Sequence, residues 1–182
     1  MKDEELVKRA LQGDDDAFRM LHDQYIGQIF RYAYVQTGDY HRAEEISQDV
    51  MYKMAVNLHQ FKGKSSFKTW LFTIGRRVVI DYHRKYSKDH QNVYVNEELL
   101  KQEQDPVLVE HKILQNSVQE EILSAMEKMS LDDKTVLQLR FFEGLSIKET
   151  AKVMSKTVLA VKSLQTRAKK KLITQLRKEV NE

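Results

Sequence analysis

The sequence LSIKETAKVMSKTVLAVKSLQTRAKKKL, residues 145–172, predicts two helices joined by a short turn. Ser146 is followed three residues later by Glu149, which is the pattern of a capping box and marks the start of the first helix. An apolar stripe on this helix is formed by Ile147, Ala151 and Met154. The stretch therefore predicts a helix-turn-helix, a geometry that can place its second helix in the major groove of DNA.

The second of these helices has two chemically different faces. The face predicted to meet a domain core carries Val161, Leu164, Ala168 and Leu172. The opposite face carries hydrogen-bond donors and positive charge from Lys162, Thr166, Lys169 and Lys170. Residues 145–178 contain a single acid, Glu149, although the net charge of the whole chain is only +3. These lysines could simply solvate the end of a helix, but such a concentration of positive charge beside a helix-turn-helix favours phosphate binding.

Composition places the chain among soluble all-helical proteins. It has 182 residues, of which 41% are hydrophobic and 31% charged, with one proline and six glycines. Apolar residues recur at spacings of three and four almost throughout, so the predicted fold class is all-α. The absence of cysteine excludes disulfides, thiolate zinc sites and cysteine nucleophiles. Because no targeting segment or membrane span is evident, we expect a cytoplasmic protein that does not insert into membranes.

The helical pattern divides into two units. Helices are predicted over about 3–12, 15–36, 41–60 and 66–86 in the first unit, and over 106–129 and 132–143 in the second. Residues 87–105 are polar and lack periodicity, which is typical of a flexible linker. Asp105 and Pro106 form an N-cap and first helical residue, and Gly144 is a natural helix stop. We therefore predict two small helical domains, 1–86 and 106–178, joined by the linker 87–105 and followed by a tail, 179–182.

A second basic surface is predicted on and before the fourth helix. Its positive charges are Lys62, Lys64, Lys68, Arg76, Arg77, Arg84, Lys85 and Lys88. Three aromatic residues are interleaved with them: Phe72, Tyr82 and Tyr86. Single-stranded nucleic acid favours this combination, because its backbone needs positive charge and its unstacked bases need an aromatic platform. Two separate DNA contacts on one tether are therefore implied.

Four signatures occur in order along the chain. They are GDDDAF at 13–18; AEEISQDVM at 43–51; FKTWLFTI at 67–74 with IDYHRK at 80–85; and FEGLSIKE at 142–149 with VKS at 161–163 and RAKKKL at 167–172. Together they resemble the extracytoplasmic-function (ECF) group of bacterial sigma factors, over nearly the whole chain. The resemblance implies a region 2-like bundle and a region 4-like helix-turn-helix, without enzymatic activity or a cofactor of their own.

The resemblance also implies a function and partners. Such a protein binds core RNA polymerase through its beta-prime clamp and beta flap, and directs initiation at promoters of an alternative, stress- or envelope-responsive set of genes. Promoter DNA is a further partner, and an anti-sigma protein is one that the tethered design would accommodate. The sequence does not identify the promoter, the inducing signal, the genes controlled or an anti-sigma factor.

The resemblance assigns a polymerase-binding face to the third helix. The residues concerned are Glu44, Glu45, Gln48, Asp49 and Tyr52. The apolar pattern agrees with this, because a buried stripe is predicted from Ile46, Val50, Met54 and Leu58. The alternative is an ordinary solvated helix face.

The residues assigned to the promoter element near minus 10 surround the fourth helix. They are Lys62, Lys64, Ser65, Ser66, Lys68, Phe72, Arg76, Arg77 and Arg84. Residues 62–66 correspond to a loop that, in the family, holds a base flipped from the melted strand. Flipping a base breaks its stacking, so hydrogen bonds and stacking within the pocket must offset that cost. A phosphate-binding P-loop is excluded, since Leu58 stands where that motif needs glycine.

The residues assigned to the minus 35 element lie in the turn and second helix of the helix-turn-helix. They are Lys156, Thr157, Lys162, Ser163, Thr166, Arg167, Lys169 and Lys170. Lys162, Ser163, Thr166 and Arg167 are expected nearest the base edges, and the remaining lysines at phosphates. The chain departs from the family pattern at Arg77, where asparagine is common, at Ser155, where glycine is usual, and at Leu164-Gln165, which replaces a basic-apolar pair.

Two other functions have less support in the sequence. A catalytic or metal site lacks support, because His41 and Glu45 can share a helix face but have no third ligand nearby. We therefore predict neither catalytic residues nor a metal. The alternative function is a two-domain helix-turn-helix regulator that is not a polymerase subunit. Such regulators usually carry a domain of alternating strands and helices, which the first half does not resemble.

Overall fold

The computed structural model describes residues 2–92 and 117–179. In these ranges the chain forms only helices and their connections. The α-helices are α1 (Asp3–Leu11), α2 (Asp15–Thr37), α3 (Tyr40–Asn57), α4 (Phe67–Asn92), α5 (Ser117–Glu127), α6 (Leu131–Leu137), α7 (Ile147–Met154) and α8 (Val158–Glu179). A 3₁₀ turn, Leu58–Gln60, extends α3, and a π-helical turn, Gln138–Phe142, extends α6. The all-α prediction is confirmed.

Short polar side chains start the helices where the sequence predicts their starts. The Asp14 carboxylate accepts a hydrogen bond from the Ala17 amide at 3.1 Å, and Asp39 accepts one from the Arg42 amide at 2.9 Å. These bonds satisfy amides that have no partner within α2 and α3. Gly144 follows the π-helical turn with φ of +69°, a left-handed conformation that glycine adopts without strain.

Most predicted helix limits agree with the structure to within two residues, and the ends of α4 and α8 differ further. Helix α8 continues through Glu179, past residue 172 where the predicted helix-turn-helix ends. Helix α4 continues through Asn92, six residues past the predicted end of the first domain at 86. The remainder of the predicted linker, 93–105, and the predicted helix start at Asp105-Pro106 lie outside the described residues. The domain limits themselves remain predictions.

The first half is a bundle in which α2 packs against α1 and α3, and α3 packs against α4. The predicted stripe of α3 is buried: Ile46, Val50, Met54 and Leu58. Tyr32 and Phe72 meet edge to face in the same core, with ring centroids 5.6 Å apart. The acidic face of α3 is thereby directed away from the bundle.

The second half packs its helices around α8, which contacts α5, α6 and α7. It also packs against the first half, with α7 on α4 and with α5 and α6 on α2. Buried apolar residues from both halves, such as Met54 and Val153, belong to one continuous core cluster. The sequence predicts two tethered units but gives no indication of this packing between them.

Candidate nucleic-acid interface

The helix-turn-helix consists of α7, a two-residue turn at Ser155 and Lys156 with Thr157 after it, and α8. The predicted capping box is present, because the Ser146 hydroxyl accepts from the Glu149 amide at 3.2 Å and the Glu149 carboxylate accepts from the Ser146 amide at 2.8 Å. The Thr157 hydroxyl similarly accepts from the Ala160 amide at 3.1 Å in the first turn of α8. The entry to each helix is therefore fixed by a local hydrogen bond.

Helix α8 has the two faces that its sequence predicts. Val161, Leu164 and Ala168 are buried, and Leu172 is half-buried. The assigned minus 35 residues are all exposed: Lys156, Thr157, Lys162, Ser163, Thr166, Arg167, Lys169 and Lys170. The outer face thus presents hydroxyl, guanidinium and ammonium donors to solvent, as contact with a DNA groove requires.

The two departures from the family pattern in this region, at Ser155 and at Leu164-Gln165, have structural explanations. Ser155 takes the place of the usual glycine and adopts a left-handed conformation with φ of 51°. Leu164 is part of the buried core. The side-chain carbonyl oxygen of Gln165 accepts a hydrogen bond from the Arg140 guanidinium at 2.9 Å. Because Arg140 lies in the π-helical turn, that turn holds the Gln165 side chain in place. Neither Leu164 nor Gln165 therefore extends the exposed donor face.

Sequence reasoning did not single out Arg140. Its guanidinium donates both to Gln165 of α8 and to the carbonyl of Leu145, just before α7. Arg140 therefore links α8 to the segment just before α7. The only local signal is a cation at the end of a helix, which is common on solvated surfaces.

The loop before α4 presents part of the predicted minus 10 surface. Lys62 and Lys64 are exposed, and Ser65 is half-buried. On α4, Arg77 and Arg84 are exposed, and Arg84 pairs with Asp81 at 2.8 Å. These side chains lie where a nucleic-acid strand could reach them.

The prediction that Phe72 offers a stacking platform is wrong for this structure. Its side chain is 0% exposed and packs against the Tyr32 ring. The Lys68 ammonium lies 5.7 Å from the Phe72 ring centroid, within the range of a cation–π contact. A fully buried ring cannot stack on a base, so Phe72 serves the core.

Three other residues predicted to contact the minus 10 element are held by acids of the second half. The Ser66 hydroxyl donates to the Glu149 carboxylate at 3.1 Å, as does Thr69. Lys68 lies 3.0 Å from the Glu143 carboxylate. Arg76, whose side chain is only 15% exposed, lies 3.1 Å from Asp132. The sequence gives these acids no distinguishing signal except the capping role of Glu149.

The ionisation of the acids reflects these contacts. Burial alone would raise the pKa of Asp132, but hydrogen bonds from Lys156 and Arg76 hold it below its usual value. Burial also opposes ionisation of Glu149, and the Ser146 amide together with the Ser146, Ser66 and Thr69 hydroxyls lowers its pKa. Both groups are therefore carboxylates at neutral pH.

The predicted polymerase-binding face of α3 is open to solvent. Glu44, Glu45, Gln48 and Tyr52 are exposed. Asp49 is half-buried and pairs with Lys53 at 2.5 Å. Beside these residues, Phe30 and Tyr40 help to line a cavity of about 240 Å³. The face combines negative charge with a recess lined by both polar and apolar side chains, and a basic protein surface can complement its charge.

Among the described residues, no cluster of three or more histidine or carboxylate side chains could hold a metal ion. None of the helices in the same ranges has the length and apolar content needed to cross a membrane.

Comparison with known proteins places this arrangement in a class. The profile of Sigma-70 region 2 matches residues 21–89, and that of Sigma-70, region 4 matches residues 119–172. The chain is 31% identical over 160 residues to the ECF RNA polymerase sigma factor SigX of Bacillus subtilis (strain 168), covering 87% of this chain and 82% of SigX. It is 30% identical over 184 residues to SigW of the same organism, covering 94% and 95% of the two chains.

A solved structure shares the fold. The sigma factor RpoE, solved in complex with the anti-sigma factor NepR from Bartonella quintana, matches with a TM-score of 0.71 at 21% identity. The match covers 88% of this chain and 96% of that one. The class defined by the two matched regions is that of sigma-70 transcription initiation factors. Within it, the chain belongs to the ECF RNA polymerase sigma factors.

Proposed function

We propose that the chain recruits core RNA polymerase through α3 and selects promoters through two DNA surfaces. The loop at 62–66 and the basic face of α4 contact the melted minus 10 element. The outer face of α8 reads the minus 35 duplex. The polymerase carries out the chemistry, in the cytoplasm, at an alternative set of promoters that serve a stress or envelope response.

The observation that supports this proposal most directly is the division of α8. Its inner residues complete a core, while every residue assigned to DNA on its outer side is exposed. A helix that only closed the domain would not need hydroxyl and guanidinium donors arranged along one solvent face. The family of relatives supports the same use of this face.

Run-off transcription with purified core polymerase tests the function. Over a genomic promoter library, addition of the chain should produce transcripts with defined starts, whereas core enzyme alone should not. Defined starts that require a separate sigma factor would instead identify a regulator that is not a polymerase subunit.

Asp49→Arg tests the polymerase face of α3. The substitution reverses charge on the acidic surface and removes the pair with Lys53, so co-purification with core polymerase should be lost. Glu121→Arg is the matched control, since Glu121 is an exposed acid on α5, outside the proposed face. Both variants should keep the helical circular dichroism spectrum. Undiminished core binding by Asp49→Arg would contradict the assignment.

An anti-sigma protein is a further partner that we propose. The fold matches a sigma factor solved with such an inhibitor. A protein bound across both halves could cover the two DNA surfaces together. The test is run-off transcription with and without a protein encoded beside this chain's gene; lack of inhibition by any binding neighbour would argue against such a partner.

A further inference from the structure

Three carboxylates of the second half, Asp132, Glu143 and Glu149, occupy cationic and hydroxyl donors of the first half. We call this set the carboxylate latch. Glu149 accepts from Ser66 and Thr69, both at 3.1 Å. Glu143 and Asp132 form the ion pairs with Lys68 and Arg76 described above. A further contact joins the Lys152 ammonium to the Lys64 carbonyl at 3.1 Å.

The Lys68–Glu143 pair and the Arg76 side chain are largely withdrawn from solvent, whereas Asp132 is 37% exposed. The Glu143 side chain is 4% exposed and its Lys68 partner 26% exposed. A DNA strand therefore cannot reach Lys68 or Arg76 while these pairs persist. Because a carboxylate and a phosphate compete for the same donors, the closed arrangement and minus 10 binding exclude each other at these residues.

Asp132 extends the competition to the second DNA surface. Its two oxygens accept from Arg76 and from Lys156, each at 3.1 Å. Arg76 belongs to the minus 10 set and Lys156 to the minus 35 set. One carboxylate thus neutralises a cation of each surface, but only its pair with Arg76 joins the two halves, because Lys156 belongs to the same half as Asp132.

We propose that the carboxylate latch closes the free protein on itself and suppresses DNA binding until the halves separate. This inference rests on the proposed function for the identity of the competing ligand, but closure itself does not depend on it. The latch is suited to reversal, because the electrostatic attraction within a buried ion pair is largely offset by the free energy needed to remove both charges from water. A ligand that takes over the donors can therefore shift the population toward the open form.

A pair of introduced thiols measures closure. The chain has no cysteine, so Lys64→Cys with Lys152→Cys supplies its only two thiols, on either side of the contact between the halves. A short bifunctional thiol reagent with a reducible spacer should join them rapidly in the closed form. Adding Asp132→Asn and Glu143→Gln should slow joining at least about threefold, because the closed population falls. Adding Glu121→Gln, which removes an exposed acid on α5, should leave the rate unchanged.

The joined protein then tests DNA binding. A short fluorescein-labelled single strand of mixed sequence should bind at least about tenfold more weakly to the joined form than to the same protein after reduction, because the competent population is removed. Protein carrying a monofunctional reagent on both cysteines controls for steric bulk and should bind as the reduced form does. Without the introduced thiols, Asp132→Asn with Glu143→Gln should bind more tightly than the native chain.

The outcomes separate this inference from the proposed function. Equal binding by joined and reduced protein would overturn the latch, as would an unchanged joining rate after the acids are neutralised. If neither form binds DNA, the proposed function fails, and the joining rates alone still decide whether the acids hold the halves together.

Discussion

Ser155 carries backbone strain in the turn between α7 and α8. Its φ of 51° and ψ of 42° place a residue with a side chain in the left-handed region. Such strain destabilises the folded chain by about 1–3 kcal/mol. Glycine removes the strain, but its greater freedom in the unfolded chain offsets about 0.5–1 kcal/mol of this gain. We therefore expect Ser155→Gly to raise the free energy of unfolding by about 1 kcal/mol. Urea denaturation measures the change, with Ser155→Ala as a control that keeps the strain. A glycine variant no more stable than the native chain would refute this account.

Arg167 and Lys170 are both exposed on α8 but should affect DNA binding differently. Arg167→Ala should remove a base contact, lowering affinity for the matched minus 35 site by about 1–3 kcal/mol and relaxing sequence preference. Lys170→Ala should weaken all sites alike and reduce the slope of log affinity against log salt by about one. Titration of matched and scrambled duplexes at several salt concentrations distinguishes the two. Equal loss on both duplexes for Arg167→Ala would exclude base reading.

The residue-level pattern of α8 could be predicted because helical periodicity alone decides which side chains face the core. The environment of Gln165 could not be predicted from the sequence. Its partner Arg140 lies 25 residues earlier, and their contact depends on how the π-helical turn meets α8. Likewise, the left-handed conformation of Ser155 follows from the turn geometry, and a serine in the sequence does not predict it.

At the scale of the element, α7 depends on its capping box. The Ser146 hydroxyl satisfies the Glu149 amide, which has no partner within the helix. We expect Ser146→Ala to lower the free energy of unfolding by about 1 kcal/mol. Lys148→Ala is the control, because Lys148 is exposed in the same helical turn and should change stability by less than about 0.5 kcal/mol. Equal stability of both variants in urea would show that the cap contributes nothing.

Most elements could be predicted from apolar spacing and capping residues, and the exceptions have physical causes. The apolar pattern predicts an early end for α4 because residues 87–92 are polar, but polar residues can continue a helix that has already formed. The π-helical turn at Gln138–Phe142 widens the hydrogen-bond ladder without changing which residue types are present. Apolar periodicity carries no information about that choice.

At the scale of the whole molecule, the packing of the two halves is the least predictable feature. It depends on pairs such as Arg76 with Asp132 and Lys68 with Glu143, which are 56 and 75 residues apart. Each charge alone is compatible with a solvated surface, and nothing local indicates its partner. Because these polar contacts add to the apolar packing between the halves, their loss should lower the closed population without removing every contact between the halves.

His83 gives the packed molecule a predicted pH dependence. It lies half-buried on α4, and burial lowers the pKa of its imidazole more than the hydrogen bond to the Gln36 backbone raises it. Lys134 of the second half and Arg42 of α3 lower this pKa further by repulsion. The folded chain therefore binds a proton at His83 more weakly than the unfolded chain does. The free energy of unfolding should fall as pH drops below about 6.5, the usual histidine pKa.

Urea titrations at several pH values between about 7 and 5 check this dependence. Asp132 and Glu149 have lowered pKa values and take up protons only below this pH range, so they do not contribute to the change. His83→Gln keeps a side chain able to form a hydrogen bond but cannot be charged, so its stability should vary less across the window. Because Lys134 belongs to the second half, acidification should also slow joining of the Lys64→Cys and Lys152→Cys thiols relative to their reaction in the His83→Gln background. Parallel stability profiles for the two proteins would show that His83 does not respond to pH in the packed molecule.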